Sequence, residues 1–263
     1  MNFLKKLDQI VEKNNSLLCV GLDPDKTRQG FSFTYKGESL FEFNKRIIDQ
    51  TCDLVCAYKP NIAFYEAYGV EGLNQLKKTI DYLKSNHPQI PIILDAKRAD
   101  IPNTARMYAK SVFEYWQADA TTVYPHLGFD SIEPFLVYRD KHTFFLIKTS
   151  NPDSGTFQNL ITDKGPYYLA VAKEIKKWGK SNIGVFVGAT YPSEIKRLRN
   201  IFPDKIFLSA GIGAQGADLK ASVEAGINKD KKGIIFNASR SIIFAKNSRI
   251  AAQNLRDEIN KYR

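Results

Sequence analysis

IPIILDAKRAD, positions 90 to 100, changes character in its middle: five residues rich in Ile and Leu give way to Asp95, Lys97, Arg98 and Asp100. A short aliphatic run of this length reads as a buried strand. Side chains alternate along a strand, so Asp95 and Lys97 share one side with Ile93, while Leu94 and Ala96 point the other way. Asp100, three residues further on, has left the strand, and alternation does not place it.

Seven more runs repeat the pattern, at 16–23, 54–61, 120–125, 143–151, 182–190, 205–213 and 232–240. Between them lie segments of helical periodicity at 38–51, 70–86, 102–117, 165–179, 192–200, 216–226 and 242–261, with a weaker one at 128–139. Strands alternating with helices imply right-handed crossovers and a parallel sheet. Eight such units predict an α/β fold, a (β/α)8 TIM barrel; an open, doubly wound sheet is the alternative. No Gly-, Pro- or Ser-rich linker divides the chain, so residues 1–263 read as a single domain. The stretch 25–39 lacks periodicity and reads as a loop insertion.

The composition, 43% hydrophobic, 25% charged and 12% aromatic, is that of a globular protein with material for a large core. A formal charge of +10 attracts anions, phosphorylated substrates among them, without choosing between them. The basic residues are spread over helices, as at Lys77, Lys78, Lys176 and Lys177, and read as solvated faces. Cys19, Cys52 and Cys56 form no CxxC pair and read as buried free thiols in a reducing compartment. The N-terminal segment places Phe3, Leu4, Leu7, Ile10 and Val11 on one helix face, interrupted by charge, which is unlike a signal peptide. No stretch approaches the roughly 20 apolar residues that cross a bilayer. A cytoplasmic enzyme or binding protein without a membrane partner is expected.

In such barrels the chemistry sits at the C-terminal ends of the strands. Those ends carry Asp23, then Lys59 and Asn61, then Asp95 and Lys97, His126, Ser150, Thr190, the GIGAQG stretch at 211–216 and Arg240. Asp95 and Lys97 taken alone fit a structural ion pair. With Lys59 arriving at the neighbouring strand end, the group looks arranged to shift proton affinities, and perturbed groups cluster at functional sites. Glycines at 211, 213 and 216 let backbone N–H groups approach an anion. Arg240, one unit later, offers a planar fork for phosphate. His126 lacks an acid or nucleophile partner and reads as peripheral. His87 and His142 fall in expected loops, and Tyr65 and Tyr68 read as packing residues.

These residues resemble the orotidine 5′-monophosphate decarboxylase family, in its longer bacterial and protozoal branch. The family's D-x-K-x-x-D signature stands as DAKRAD, 95 to 100. VGLDPD (20–25), YKPNIAFYEAYG (58–69), KTSNPDSG (148–155), VGATYPSE (187–194), AGIGAQG (210–216) and SRSI (239–242) support it along nearly the whole chain. The resemblance implies decarboxylation of orotidine 5′-monophosphate to uridine 5′-monophosphate, the last step of de novo UMP synthesis. It implies Lys97 as proton donor to C6, Asp95 beside the departing carboxylate, and Lys59 completing the charge network and contacting ribose. It implies a homodimer in which Asp100, Ile101 and Thr104 reach the partner's site. Asp23 and Asn61 match substrate-binding positions, Ser150 the position that reads the pyrimidine amide. Gly211, Gly213, Gln215 and Arg240 match the phosphate grip, Ser239 a further substrate-binding position, and the loop at 211–219 a lid. Neither cofactor nor metal is implied. Ala210 stands where many members have proline.

Two rivals remain at this point. A sugar-phosphate decarboxylase or aldolase of the same frame would use Mg²⁺ held by an additional acid at a neighbouring strand end, where this chain has Lys59 and Asn61. A silent nucleotide- or RNA-binding protein would rest on the net charge alone and leaves the strand-end carboxylates unexplained; no nucleic-acid partner is expected.

Overall fold

Each of the eight apolar runs forms a strand, shorter than its run because the polar ends turn into loops. In the computed structural model, which describes residues 1–27, 37–212 and 218–263, these are β1 (Leu18–Gly21), β2 (Ala57–Lys59), β3 (Ile93–Arg98), β4 (Ala120–Val123), β5 (His142–Lys148), β8 (Ile183–Gly188), β9 (Phe207–Ala210) and β10 (Ile234–Ala238). Between β5 and β8 a small antiparallel pair intervenes, β6 (Ile161–Thr162) and β7 (Gly165–Pro166). The eight long-range partners are parallel, in the order β2-β1-β10-β9-β8-β5-β4-β3. The two ends meet through bridges Tyr58↔Ile92 and Asn61↔Asp95, so the sheet closes into a barrel rather than staying open.

The interior is packed rather than hollow. Ile93, Ala120, Phe144 and Leu208 are fully buried, as expected where layers of side chains fill the barrel. The opposite faces pack on helices: Tyr58 donates to the Ile48 carbonyl of helix Leu40–Thr51 and bonds Thr51. That helix begins with a capping box in which Ser39 and Glu42 satisfy each other's free N–H groups. Helix Phe3–Asn14 closes the bottom of the barrel, with Phe3 stacked on His142 at 4.8 Å between ring centroids.

Several expectations change in detail. Leu4 is 39% exposed and leaves the buried face to Phe3, Leu7, Ile10 and Val11. His142 is not in a loop: it is the first residue of β5 and is buried, because Thr143 and Phe144 extend the strand backwards onto it. The segment 102–117 is an α-helix only over Pro102–Lys110, followed by a π-helical turn at Ser111–Tyr115. The segment 242–261 splits into Arg240–Ile243 and Ser248–Asn260, the second started by the Asn247 side chain accepting from the Ile250 N–H. The weak segment 128–139 reduces to Glu133–Leu136. Cys19 and Cys56 are buried, while Cys52 is only half-buried. Most of the 25–39 insertion lies outside the described residues.

Candidate active site

β3 does not run evenly beside β4. Leu94 pairs with Thr121 and Arg98 with Val123, so three residues of β3 span the place of one residue, Thr122, on β4. Two residues are therefore inserted, an even number, and alternation survives: Asp95 and Lys97 face the barrel mouth, while Leu94, Ala96 and Arg98 face the helices. Lys97 takes φ of 47° there. A non-glycine residue in this left-handed region costs about 1 kcal/mol or more, a strain found where geometry serves function.

The irregularity concentrates charge. Asp95 Oδ2 accepts from Lys59 Nζ at 2.8 Å, and Oδ1 accepts from Lys97 Nζ at 2.6 Å. Thr122 Oγ1 donates to Asp95 Oδ1 at 2.7 Å and accepts from the Lys97 N–H at 3.0 Å. Burial pushes the Asp95 carboxyl upward, but Lys59 and Lys97 outweigh it and hold it well below the usual carboxylate range. Burial pulls Lys59 down, and Asp95 and Asp23 reverse this and raise it above an ordinary lysine. Lys59 and Asp95 side chains are 4% and 5% exposed; that of Lys97 is 34% exposed and stands nearer the open mouth. The trio is a fixed, charged chain with its one accessible ammonium at the end.

Around it lies a cavity of about 460 Å³, of the size that holds a small ligand. Asp23, Lys59, Asn61, Asp95 and Lys97 line it, together with Ser150, Gly211, Ser239 and Arg240. Asp23 Oδ1 accepts from the Asn61 N–H at 3.1 Å, which ties the ends of β1 and β2 together. Two glycines make room: a Cβ on Gly21 would sit 1.9 Å from Ser239 Oγ, and one on Gly188 would sit 2.8 Å from the Ser150 Cα. Gly211, with φ of 106°, turns the chain out of β9 next to Ala210. Gly213 and Gln215 fall outside the described residues, as does most of the expected lid.

Asp100, Ile101 and Thr104 do not line this cavity. Asp100 is half-buried and accepts from the Ile101 N–H, and Ile101 is 65% exposed. Thr190 and His126 also lie outside it; His126 Nδ1 meets the Tyr167 hydroxyl at 3.1 Å on the rim. Tyr65 is a packing residue, buried and bonded to Asn44 and to the Leu22 carbonyl. Sequence reasoning missed Thr122, whose position as the inward residue of ATTV was available from alternation. It missed the apolar cavity wall of Leu146 and Phe186, and Asn237, which lies on the strand that ends in Ser239 and Arg240. Among the described residues no three of His, Cys, Asp and Glu gather as a metal-binding group.

A closed (β/α)8 barrel whose mouth gathers a charged Lys-Asp-Lys chain with Gly211, Ser239 and Arg240 has the architecture of a barrel enzyme of the D-x-K-x-x-D type. Residues 16–255 match the Orotidine 5′-phosphate decarboxylase / HUMPS family, and the chain belongs to it. It is 46% identical over 272 residues, all of both chains, to orotidine 5′-phosphate decarboxylase of Ralstonia nicotianae. It is 44% identical to that of Roseiflexus castenholzii, over 99% of this chain and 98% of the relative. The solved structure of Leishmania donovani OMP decarboxylase superposes with a TM-score of 0.88 at 40% identity, covering 100% of this chain and 99% of that one.

Proposed function

We infer that the chain's reaction, decarboxylation of orotidine 5′-monophosphate to uridine 5′-monophosphate and carbon dioxide, runs through the Lys59-Asp95-Lys97 chain. The observation that carries this is one buried carboxylate bridging two ammonium groups at 2.8 and 2.6 Å, with the second ammonium facing the cavity. The bond from C6 to the carboxylate breaks, carbon dioxide leaves, and the electron pair stays on C6, where no attached carbonyl absorbs it. Lys97 stands as a preorganised cation beside that charge and then delivers one of its protons to C6. Asp95 and Thr122 fix the direction of the ammonium, and Asp95 places negative charge near the departing carboxylate. Asp23, Lys59 and Asn61 face ribose, Ser150 the pyrimidine amide, and Gly211, Ser239 and Arg240 the phosphate, with Gly213 and Gln215 as further phosphate contacts. Phosphate binding far from C6 supplies binding energy for closing the site.

The working unit is a homodimer in which Asp100, Ile101 and Thr104 complete the partner's site. Two features support this: all three lie outside their own chain's cavity, and exposed Ile101, Met107 and Val137 leave apolar surface on that side. The enzyme works in the cytoplasm, in keeping with the absence, among the described residues, of any helix long and apolar enough to cross a membrane. No metal takes part, which separates this chemistry from that of Mg²⁺-dependent relatives of the same frame. Purified protein, treated exhaustively with EDTA, is expected to consume orotidylate at its full rate, followed by loss of orotidylate absorbance. Activity that vanishes with EDTA and returns with Mg²⁺ would overturn the metal-free route.

A further inference from the structure

Lys148, the last residue of β5, is fully buried, yet among the described residues no carboxylate pairs with it. Its Nζ donates to Ser154 Oγ at 3.1 Å and lies 4.6 Å from the centre of the Tyr191 ring. Arg199, also largely covered, shows how this fold otherwise treats an interior cation: it donates to the carbonyls of Phe202, Lys205, Gly226 and Gly233 and holds two loops. Lys148 has, among the described residues, one hydroxyl and one aromatic face. An ammonium this poorly compensated is a poor source of stability, and an apolar side chain of similar length would fit the place at no cost.

Its surroundings say what it holds. β5 slips by one residue against β8, since Leu146 pairs with Phe186 and Lys148 with Val187. The slip turns Lys148 away from the cavity side that Leu146 faces and under the segment that follows β5. Tyr191 carries its hydroxyl to Ser154 Oγ at 3.1 Å and to the Asn151 carbonyl at 3.5 Å. Thr149 and Gln158 exchange two hydrogen bonds of 2.9 Å, and Thr149 Oγ1 donates to Asn151 Oδ1 at 2.7 Å. The segment is thus a knot, and its residues Thr149, Ser150 and Asn151 line the cavity. Ser150 is trapped between the bare face of Gly188 and this knot.

We propose that Lys148 is a positioning residue for recognition of the nucleobase: by joining Ser154 to the face of Tyr191 it sets where Ser150 stands in the cavity. The proposal rests on the reading that Ser150 faces the pyrimidine amide. It makes base selectivity depend on a residue that no ligand touches. Among the described residues no hydrogen bond joins Ser150 to the Lys59-Asp95-Lys97 chain, so its displacement weakens binding of substrate and transition state alike, which raises KM and leaves kcat in place.

Lys148→Met tests it, with kcat and KM for orotidylate and the inhibition constants of UMP and CMP, which differ at the amide edge of the base. KM is expected to rise about tenfold with kcat within about twofold, and the preference for UMP over CMP to fall by a similar factor, the size of one hydrogen bond. The thermal midpoint is not expected to drop, and Lys148→Arg recovers part of the preference. In a Ser150→Ala background, Lys148→Met is expected to add less than about twofold, because coupled residues are not additive. If Lys148→Met fails to fold, Tyr191→Phe, which removes the hydroxyl contact to Ser154, is expected to move KM and selectivity the same way. Parent-like KM and preference in Lys148→Met, or a full effect persisting without Ser150, would overturn the proposal. Ser150→Ala with unchanged UMP preference would sink the underlying reading of Ser150, a result separate from any obtained at Lys148.

Discussion

The two ends of the barrel each bury a titratable side chain and treat it in opposite ways. At the mouth, Asp95 is charged and fully engaged by Lys59, Lys97 and Thr122. At the floor, His142 is stacked on Phe3 and edge-on to Phe144, and among the described residues neither ring nitrogen is hydrogen-bonded. Burial, with a smaller push from Lys205, drives the His142 pKa down to about 3. The floor therefore keeps its histidine neutral and uses it as an aromatic plug. The mouth keeps its groups ionised, although a buried ion pair recovers its desolvation cost poorly and apolar residues would often serve stability as well. The difference fits the proposal that the mouth, not the floor, carries the chemistry.

The comparison breaks most visibly at Lys59. Lys59→Met leaves Asp95 buried with one ammonium instead of two, and a loss of about 3 kcal/mol is expected in denaturant unfolding, together with most of the activity. Unchanged stability would show that Lys97 and Thr122 suffice for Asp95. A smaller and pH-dependent effect is expected at the floor. The folded pKa of His142 lies below its ordinary 6.5, so the unfolded chain takes up the proton first. Stability is then fully present above pH 6.5 and falls as pH drops toward 3, by up to about 1.4 kcal/mol per pH unit. His126 is lowered in the same direction but stands exposed on the rim and contributes less. Asp95, also depressed, adds its loss only below its ordinary value of 3.8. His142→Phe is expected to flatten the stability curve between pH 6.5 and 4, and an unchanged slope there would contradict the buried-neutral account.

Much of this was legible in the sequence, for identifiable reasons. The eight strands were visible because each is a short aliphatic run, and the shared face of Asp95 and Lys97 followed from alternation. That inference held because the irregularity in β3 inserts two residues; one would have turned Lys97 away from the mouth. The inward position of Thr122 was open to the same alternation, but its bond to the Lys97 N–H arises from that irregularity, which periodicity does not report. Lys148 drew no reading of its own beyond its place in KTSNPDSG, since its burial depends on loops from two different units folding over it. His142 was misplaced because a histidine after Asp140 and Lys141 looks like loop, whereas the floor accepts it as a ring. Asp100, Ile101 and Thr104 have no place in their own cavity, which is why we propose that they serve a second chain.

The central claim is that Lys97 is the proton donor and that the rest of the mouth exists to hold it. Lys97→Ala tests it most directly, by measuring orotidylate turnover and UMP affinity on the same preparation. The account predicts turnover reduced by more than about 10³-fold, as for loss of a preorganised charge at the reacting centre, with UMP binding substantially retained. Turnover near the parent rate in a folded Lys97→Ala protein would contradict it.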